Sequence, residues 1–148
     1  TKDVQDSILS MPAYAAVVDL IDIRYWHYQA DGTAYEPKGG QNLAPRQHAR
    51  LLKPKKASFE QVYRAVKEYK EKFPNKAVVY SGDSYPEFAM AAFMAGGSLP
   101  VLLDVDAAIL KAASGMKPVA STNANEYVLS DGKKTIVYNT ATKKLELR

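Results

Sequence analysis

Apolar residues recur along the chain in two patterns, one typical of helices and one typical of strands. The clearest helical pattern covers residues 58–73, where an apolar residue recurs every three or four positions and charged residues fill the intervals. Ser58, with Gln61 three positions later, forms a capping box that marks the start of this helix, and Pro74 marks its end. The apolar stripe consists of Phe59, Val62, Val66, Tyr69 and Phe73.

Three apolar runs predict strands. The first, residues 15–26, is apolar at both odd and even positions for much of its length, which is typical of a strand covered on both faces. The other two runs cover residues 77–80 and 99–103. Side chains alternate along a strand, so one face of the first run carries Asp22, Arg24 and Trp26, and the other carries Ile21, Ile23, Tyr25 and His27.

Helical patterns alternate with these strands. A helix is predicted over residues 1–9, ending before Pro12, and two more over residues 86–95 and 106–114. At the start of the helix predicted over residues 86–95, Ser84 and Glu87 have the spacing of a capping box. Strands that alternate with helices through short links indicate an α/β fold with a parallel sheet and helical crossovers.

The pattern changes after Pro118. Residues 125–130 and 133–138 flank Asp131-Gly132, which is a strong hairpin signal, and residues 144–147 predict a third strand. We therefore divide the chain into a partial (β/α) barrel region, residues 1–118, and a small antiparallel β unit, residues 119–148. A full (β/α) barrel needs about 250 residues, so we expect a fragment that holds the last strands of a barrel and the beginning of a C-terminal β-domain.

Composition limits the possible classes of protein. The 148 residues include 47% hydrophobic and 24% charged residues and no cysteine, which excludes a disulfide scaffold, a thiolate metal site and a wholly disordered chain. No apolar run reaches the roughly 18–20 residues of a membrane-spanning helix. The net charge of +4 is small, and the basic residues lack interleaved aromatic residues, so we do not expect nucleic acid as a partner.

A long connection, residues 29–57, carries much of the positive charge. A connection of more than about 12–15 residues without secondary structure is usually functional or disordered. Between residues 38 and 56 the chain has no acidic residue. We expect either a loop that binds sugar or an acidic polysaccharide, or a solvated cationic segment. Its six cations are Lys38, Arg46, Arg50, Lys53, Lys55 and Lys56.

Four segments carry a resemblance to a known family: residues 21–28 (IDIRYWHY), residues 39–48 (GGQNLAPRQH), residues 92–98 (AFMAGGS) and the closing hairpin. Together they resemble glycoside hydrolases of bacterial polysaccharide degraders, which look like (β/α) barrels followed by a β-sandwich. The resemblance implies hydrolysis of poly- or oligosaccharide by acid/base carboxylates, and a periplasmic or extracellular location. We expect the fragment itself to be inactive. The alternative is a non-catalytic module that binds carbohydrate or a polyanion.

Catalytic carboxylates in a barrel are expected to follow the carboxyl ends of strands. Four acidic residues are so placed: Asp31, Asp83, Glu87 and Asp104. We select Asp83 and Glu87 as the catalytic candidates. Asp83 could instead form a local turn bond and Glu87 could instead cap its helix.

Aromatic and polar residues near the end of the first strand are candidates for substrate binding, because aromatic rings stack on sugars and an arginine fork binds carboxylates or hydroxyls. Asp22 and Arg24 could instead form an ion pair, and the aromatic residues could belong to the core. With two histidines, a metal site is not expected, and no sequence motif indicates a cofactor. Open sheet edges predict self-association. The binding candidates are Arg24, Trp26, His27, Tyr28, Gln41, Asn42, Arg46 and His48.

Overall fold

The computed structural model describes residues 1–52, 57–82, 85–98 and 105–148. Six α-helices lie in these ranges: α1 (Lys2–Ser10), α2 (Pro12–Ala15), α3 (Pro45–Leu52), α4 (Phe59–Lys72), α5 (Ala89–Met94) and α6 (Ala107–Ala113). The six strands are β1 (Leu20–Ile23), β2 (Ala77–Tyr80), β3 (Lys117–Val119), β4 (Glu126–Ser130), β5 (Thr135–Asn139) and β6 (Lys144–Leu147). Short 3₁₀ helices cover Gly40–Asn42 and Pro86–Phe88.

Two sheets divide these strands, and the α/β class is confirmed. β1 and β2 pair in parallel, with Leu20 opposite Ala77 and Ile23 opposite Tyr80. β3, β4, β5 and β6 form a second sheet in which every neighbouring pair is antiparallel. The predicted hairpin is therefore confirmed, and Gly132 takes the left-handed conformation (φ 85°) that its turn requires. The predicted strand over residues 99–103 lies outside the described residues.

Helix α4 crosses between β1 and β2 and covers one face of their sheet. Ser58 caps it as the sequence predicts, accepting a hydrogen bond from the Gln61 backbone N–H at 3.3 Å. Its stripe is buried at Val62 and Val66, which pack against Ile21 and Ile23 of β1. Burial of each such aliphatic side chain contributes about 1.5–3 kcal/mol, so this interface holds the parallel sheet to its helix.

The prediction of one long strand over residues 15–26 was wrong. Residues 12–15 form a short helix instead, because Pro12 is well suited to the first helical position. Val17 is 75% exposed and Leu20 is 50% exposed. On β1, Ile21 and Ile23 are buried on the face that α4 covers, whereas on the other face Leu20 is exposed and Asp22 is half-buried.

The antiparallel sheet packs on α4 and α5 through a second core. Phe93 and Met94 of α5 contact Leu129 and Ile136 of the sheet in this cluster. Strand β3 was not predicted, because Pro118 lies in its centre. Proline is tolerated there because β3 is an edge strand, where a missing N–H breaks no ladder bond.

Candidate functional site

A cavity of about 340 Å³ lies between α1 and β1. Helix α1 contributes Val4 and Ile8 to its wall, and β1 contributes Leu20 and Asp22. Trp26, from the segment that follows β1, completes the lining. A mostly apolar cleft that holds a few polar groups is the common form of a small-molecule site.

Asp22 is the acidic residue of this cavity. Its Oδ2 lies 2.9 Å from Arg24 Nε, so the ion pair that the sequence suggested is present. Its Oδ1 is buried and has no hydrogen-bond partner among the described residues. A buried carboxylate oxygen without a donor is costly, and a ligand hydroxyl or N–H that reached it would relieve that cost.

Trp26 is held in place by two neighbouring rings. The Trp26 and His27 rings stack at 5.0 Å with 5° between their planes, and Tyr35 meets the indole edge-on at 5.4 Å. Trp26 stays half-buried and lines the cavity. Asp22 and Trp26 thus line the same cavity, but Ile21, which alternation assigned to the opposite face, lines it too, and Trp26 lies in the turn that follows the end of β1 at Ile23.

The structure places His27 inside the protein, where it is 1% exposed. Its Nε2 lies 2.6 Å from Gln5 Oε1, which accepts, so Nε2 carries the proton. Its Nδ1 then accepts from the Arg24 backbone N–H at 2.9 Å. Burial lowers the pKa of His27 to about 4, so the ring is neutral near pH 7.

Tyr28 belongs to a partly buried charge network rather than to the cavity. Its hydroxyl donates to Glu68, and the same carboxylate lies 3.2 Å from Lys2 Nζ and 2.5 Å from Lys72 Nζ. Lys2 also lies 2.6 Å from Asp6. This network, formed by Lys2, Asp6, Tyr28, Glu68 and Lys72, is called the Glu68 network below.

Burial raises the pKa of Glu68, but hydrogen bonds from Lys72, Tyr28 and Lys2 outweigh burial and hold that pKa at about 2. Burial alone lowers the pKa of Lys2, yet its contacts with Asp6 and Glu68 leave it raised overall. Both groups are charged at neutral pH. The Glu68 network therefore ties α1 and the segment after β1 to α4.

Aromatic rings cluster where β1 and β2 end. The Tyr25 and Tyr85 rings lie 4.4 Å apart, and Tyr85 stacks on Phe88 at 5.6 Å. Gly82 lies against the Tyr80 ring, where a Cβ would come within 2.1 Å of it. Glu87 is exposed on the 3₁₀ helix that follows, whose N-cap residue Tyr85 makes no side-chain capping hydrogen bond; Ser84, its predicted capping partner, lies outside the described residues.

The other candidates are spread over the long connection. Asn42 and Arg46 are exposed, and the side chains of Gln41 and His48 lie outside what the structure describes. Asp31 accepts a hydrogen bond from the Thr33 backbone N–H at 2.9 Å, which closes a local turn. Asp83 and Asp104 lie outside the described residues.

The long connection does reach the rim of the cavity. Gly40 is buried so close to Thr1, a lining residue, that a Cβ on Gly40 would come within 2.3 Å of Thr1 Cγ2. Glycine is required there for close packing. In the described part of the chain, no three His, Asp or Glu side chains converge as a metal site would need. The same residues include no helix long and apolar enough to span a bilayer.

A protein-family model, described as a domain of unknown function (DUF6298), matches residues 1–116. The chain belongs to the DUF6298 family. The DUF6298 match contains the cavity and the Glu68 network and ends one residue before β3 begins at Lys117. No curated protein and no solved structure matches the chain.

Helix α1 is the part of the site that sequence reasoning missed in this DUF6298 chain. Val4 and Ile8 of its apolar stripe line the cavity, and Gln5 fixes His27. The 3.6-residue period indicated an apolar face on this helix. It gave no indication of which strand that face would meet.

Proposed function

We propose that this DUF6298 chain binds poly- or oligosaccharide in the cavity at Trp26, as part of a glycoside hydrolase that uses acid/base carboxylates. Two features of residues that line one cavity of about 340 Å³ carry the proposal: the unpaired Oδ1 of Asp22 and the half-buried indole of Trp26. A sugar matches both groups. Its C–H face stacks on an aromatic ring, and its hydroxyls donate to a carboxylate oxygen.

The parallel arrangement supports placement in a (β/α) barrel. In barrel enzymes the active site lies at the carboxyl ends of the strands, where Arg24 follows β1. Ser98, the last described residue before the predicted strand 99–103, donates from its N–H to the Val78 carbonyl at 2.7 Å. This contact is on the outer edge of β2, where a third parallel strand would lie. On the sheet face away from α4, Leu20 is half-exposed, as expected where further strands would close a barrel.

Acid/base hydrolysis requires two carboxyl groups that flank the glycosidic bond. Glu87 lies seven positions after the end of β2, and it is close enough to Tyr80 to contribute to the raised pKa of that phenol, although burial is the main cause. Asp83 is the second proposed carboxylate from its position in the sequence. The test is to measure hydrolysis of a panel of polysaccharides by the full-length protein that carries this sequence. Turnover would support the proposal of a glycoside hydrolase, and absence of turnover would refute it.

A non-catalytic carbohydrate-binding module is the second candidate. It is favoured by one observation: among the described residues, Asp22 is the single acidic side chain that lines the cavity. Glycan binding without turnover would support this candidate. Binding that weakens steeply with salt would instead indicate a polyanion held by the basic connection.

We predict that Asp22→Asn weakens saccharide binding about tenfold, as loss of one charge-assisted hydrogen bond would. Trp26 is the one tryptophan of the chain, so its emission reports on the cavity directly. Oligosaccharides of several classes would be titrated into the full chain while Trp26 emission is recorded.

Asp19→Asn is the matched control. Asp19 lies just before the same strand, is exposed and does not line the cavity, so binding should be unchanged. A Trp26 emission that no saccharide alters would contradict the proposal, and equal weakening in both variants would exclude a specific role for Asp22.

We also propose that the chain self-associates through β1. Within the described residues, β1 has a strand partner on one edge only, and Val17 and Leu20 expose apolar surface close to it. Light scattering of the full chain should show a mass that rises with concentration. A constant monomer mass up to millimolar concentration would refute this.

A further inference from the structure

A second, larger concavity of about 780 Å³ runs along the exposed side of α4. One wall is Tyr28, from the segment after β1, and the other is Tyr127 of β4. Its floor is formed by Tyr63 and the charged residues of α4. We call it the α4 groove. No described residue lines both the α4 groove and the cavity at Trp26.

The charged residues of the α4 groove balance one another. Lys67 pairs with Glu71 at 2.6 Å, and Lys72 pairs with Glu68 at 2.5 Å. Such a groove has no net attraction for a polyanion or a polycation. Its three acidic residues are Glu60, Glu68 and Glu71, and its three basic residues are Arg64, Lys67 and Lys72.

Arg64 has a separate role, because it closes one end of the groove. Its guanidinium lies 3.9 Å from the centre of the Tyr28 ring and donates to the Gly32 carbonyl at 2.8 Å. The charge of Arg64 is therefore already engaged, and the guanidinium covers one face of the Tyr28 ring. The aromatic surface left for a ligand is therefore that of Tyr63 and Tyr127.

Tyr63 and Tyr127 meet at 4.6 Å with 62° between their planes. Phe59 supports Tyr127 from below at 4.8 Å, so these rings are fixed before any ligand arrives. The structure gives neither hydroxyl a hydrogen-bond partner among the described residues. Burial raises the pKa of both phenols, which therefore remain donors at neutral pH.

We propose that the α4 groove is a second saccharide site, and that it takes a neutral oligosaccharide. The choice of a saccharide rests on the proposed function. Two fixed rings offer stacking surface for pyranose faces, and the exposed Glu60 carboxylate accepts hydroxyl protons beside them. An open groove admits the middle of a polymer, whereas the smaller cavity at Trp26 admits one or two units.

A peptide fits the α4 groove less well. One common way in which an extended peptide binds is by adding to a free strand edge. Here the helix bonds its own backbone, and β4 is paired on both sides, by β3 and β5. The groove therefore offers a peptide no main-chain partner.

Amide chemical shifts of the isotope-labelled full chain would test the proposal. Neutral gluco-, xylo- and manno-oligosaccharides, a polyuronate and a mixture of unstructured peptides would each be titrated in. A neutral oligosaccharide is expected to shift residues 60–72 and Tyr127 in a saturable manner. Tyr63→Leu keeps an apolar side chain but removes the ring and hydroxyl, and should weaken this binding at least tenfold.

Tyr14→Leu is the matched control, since Tyr14 is 56% exposed on α2 and lines neither site. Glu60→Ala changes an exposed residue and should weaken binding severalfold without affecting folding. Shifts produced by peptides or polyuronate alone overturn the proposal. If a saccharide shifts amide resonances around Trp26 but none in the α4 groove, this inference is overturned and the proposed function stands. If no saccharide shifts resonances at either site, both are overturned.

Discussion

Replacing Glu68 by alanine is expected to lower the free energy of unfolding by about 3 kcal/mol at pH 7. The Glu68 carboxylate accepts from Tyr28 and pairs with Lys2 and Lys72, and Lys2 is only 5% exposed. Removal of one partner of a buried ion pair typically costs about 3–5 kcal/mol, because the other charge stays buried. The value here lies at the lower end, since Asp6 still pairs with Lys2.

Urea unfolding of the two proteins would measure this difference. Glu71→Ala is the matched control: Glu71 is on the same helix, pairs with Lys67 and is 64% exposed. An exposed pair contributes about 0–1 kcal/mol, so this variant should unfold near the wild-type midpoint. Equal destabilisation by the two substitutions would show that the Glu68 network has no special role.

The second large effect is a loss of stability in mild acid that depends on His27. Burial lowers the pKa of His27 to about 4 in the folded chain, from an ordinary value of 6.5. The unfolded chain therefore binds a proton at higher pH than the folded chain does. The contribution of His27 to the free energy of unfolding is complete above pH 6.5. It is lost as the pH falls towards 4, by about 3 kcal/mol in total.

Glu68 acts in a different pH range. Its pKa is held at about 2 in the folded chain, against 4.5 ordinarily, so its contribution is complete above pH 4.5 and is lost below that value. Stability that declines between pH 6.5 and 4.5 is therefore assigned mainly to His27. Both groups contribute to the decline between pH 4.5 and 4, and Glu68 accounts for the decline below pH 4.

Free energies of unfolding at half-unit pH steps from 7 to 4 would test the role of His27. His27→Asn should be less stable at pH 7, because Gln5 and the Arg24 N–H lose the ring as a partner, and it should have a flatter pH profile. Proton titration of the His27 imidazole is the independent measurement. An imidazole that titrates near pH 6.5 in the folded protein would contradict this account.

Local order in the chain was largely readable from the sequence. The apolar stripe of α4, the Ser58 cap and the Asp131-Gly132 hairpin were all predicted, because each depends on residues only a few positions apart. The extent of β1 was misjudged for the same reason. Hydrophobic runs show where a strand can form, but they do not show which of their faces the rest of the chain will cover.

The candidate site was predicted in part. Alternation along the predicted strand placed Asp22 and Trp26 on one face, and both line one cavity, although Trp26 does so from the turn that follows β1. The same alternation gave no sign that His27 would be buried and neutral. That outcome depends on Gln5, 22 positions away, which binds the ring from α1.

The sequence by itself determined helix α4, the closing hairpin and the change of pattern after Pro118, since capping, alternation and turn chemistry act over a few residues. Tertiary structure alone decided which charges are buried and which surfaces are open. Lys2 meets Glu68 across 66 positions, and Tyr127 of β4 meets Tyr63 of α4. Such contacts form only when distant segments pack, so the Glu68 network, the cavity at Trp26 and the α4 groove are products of the fold.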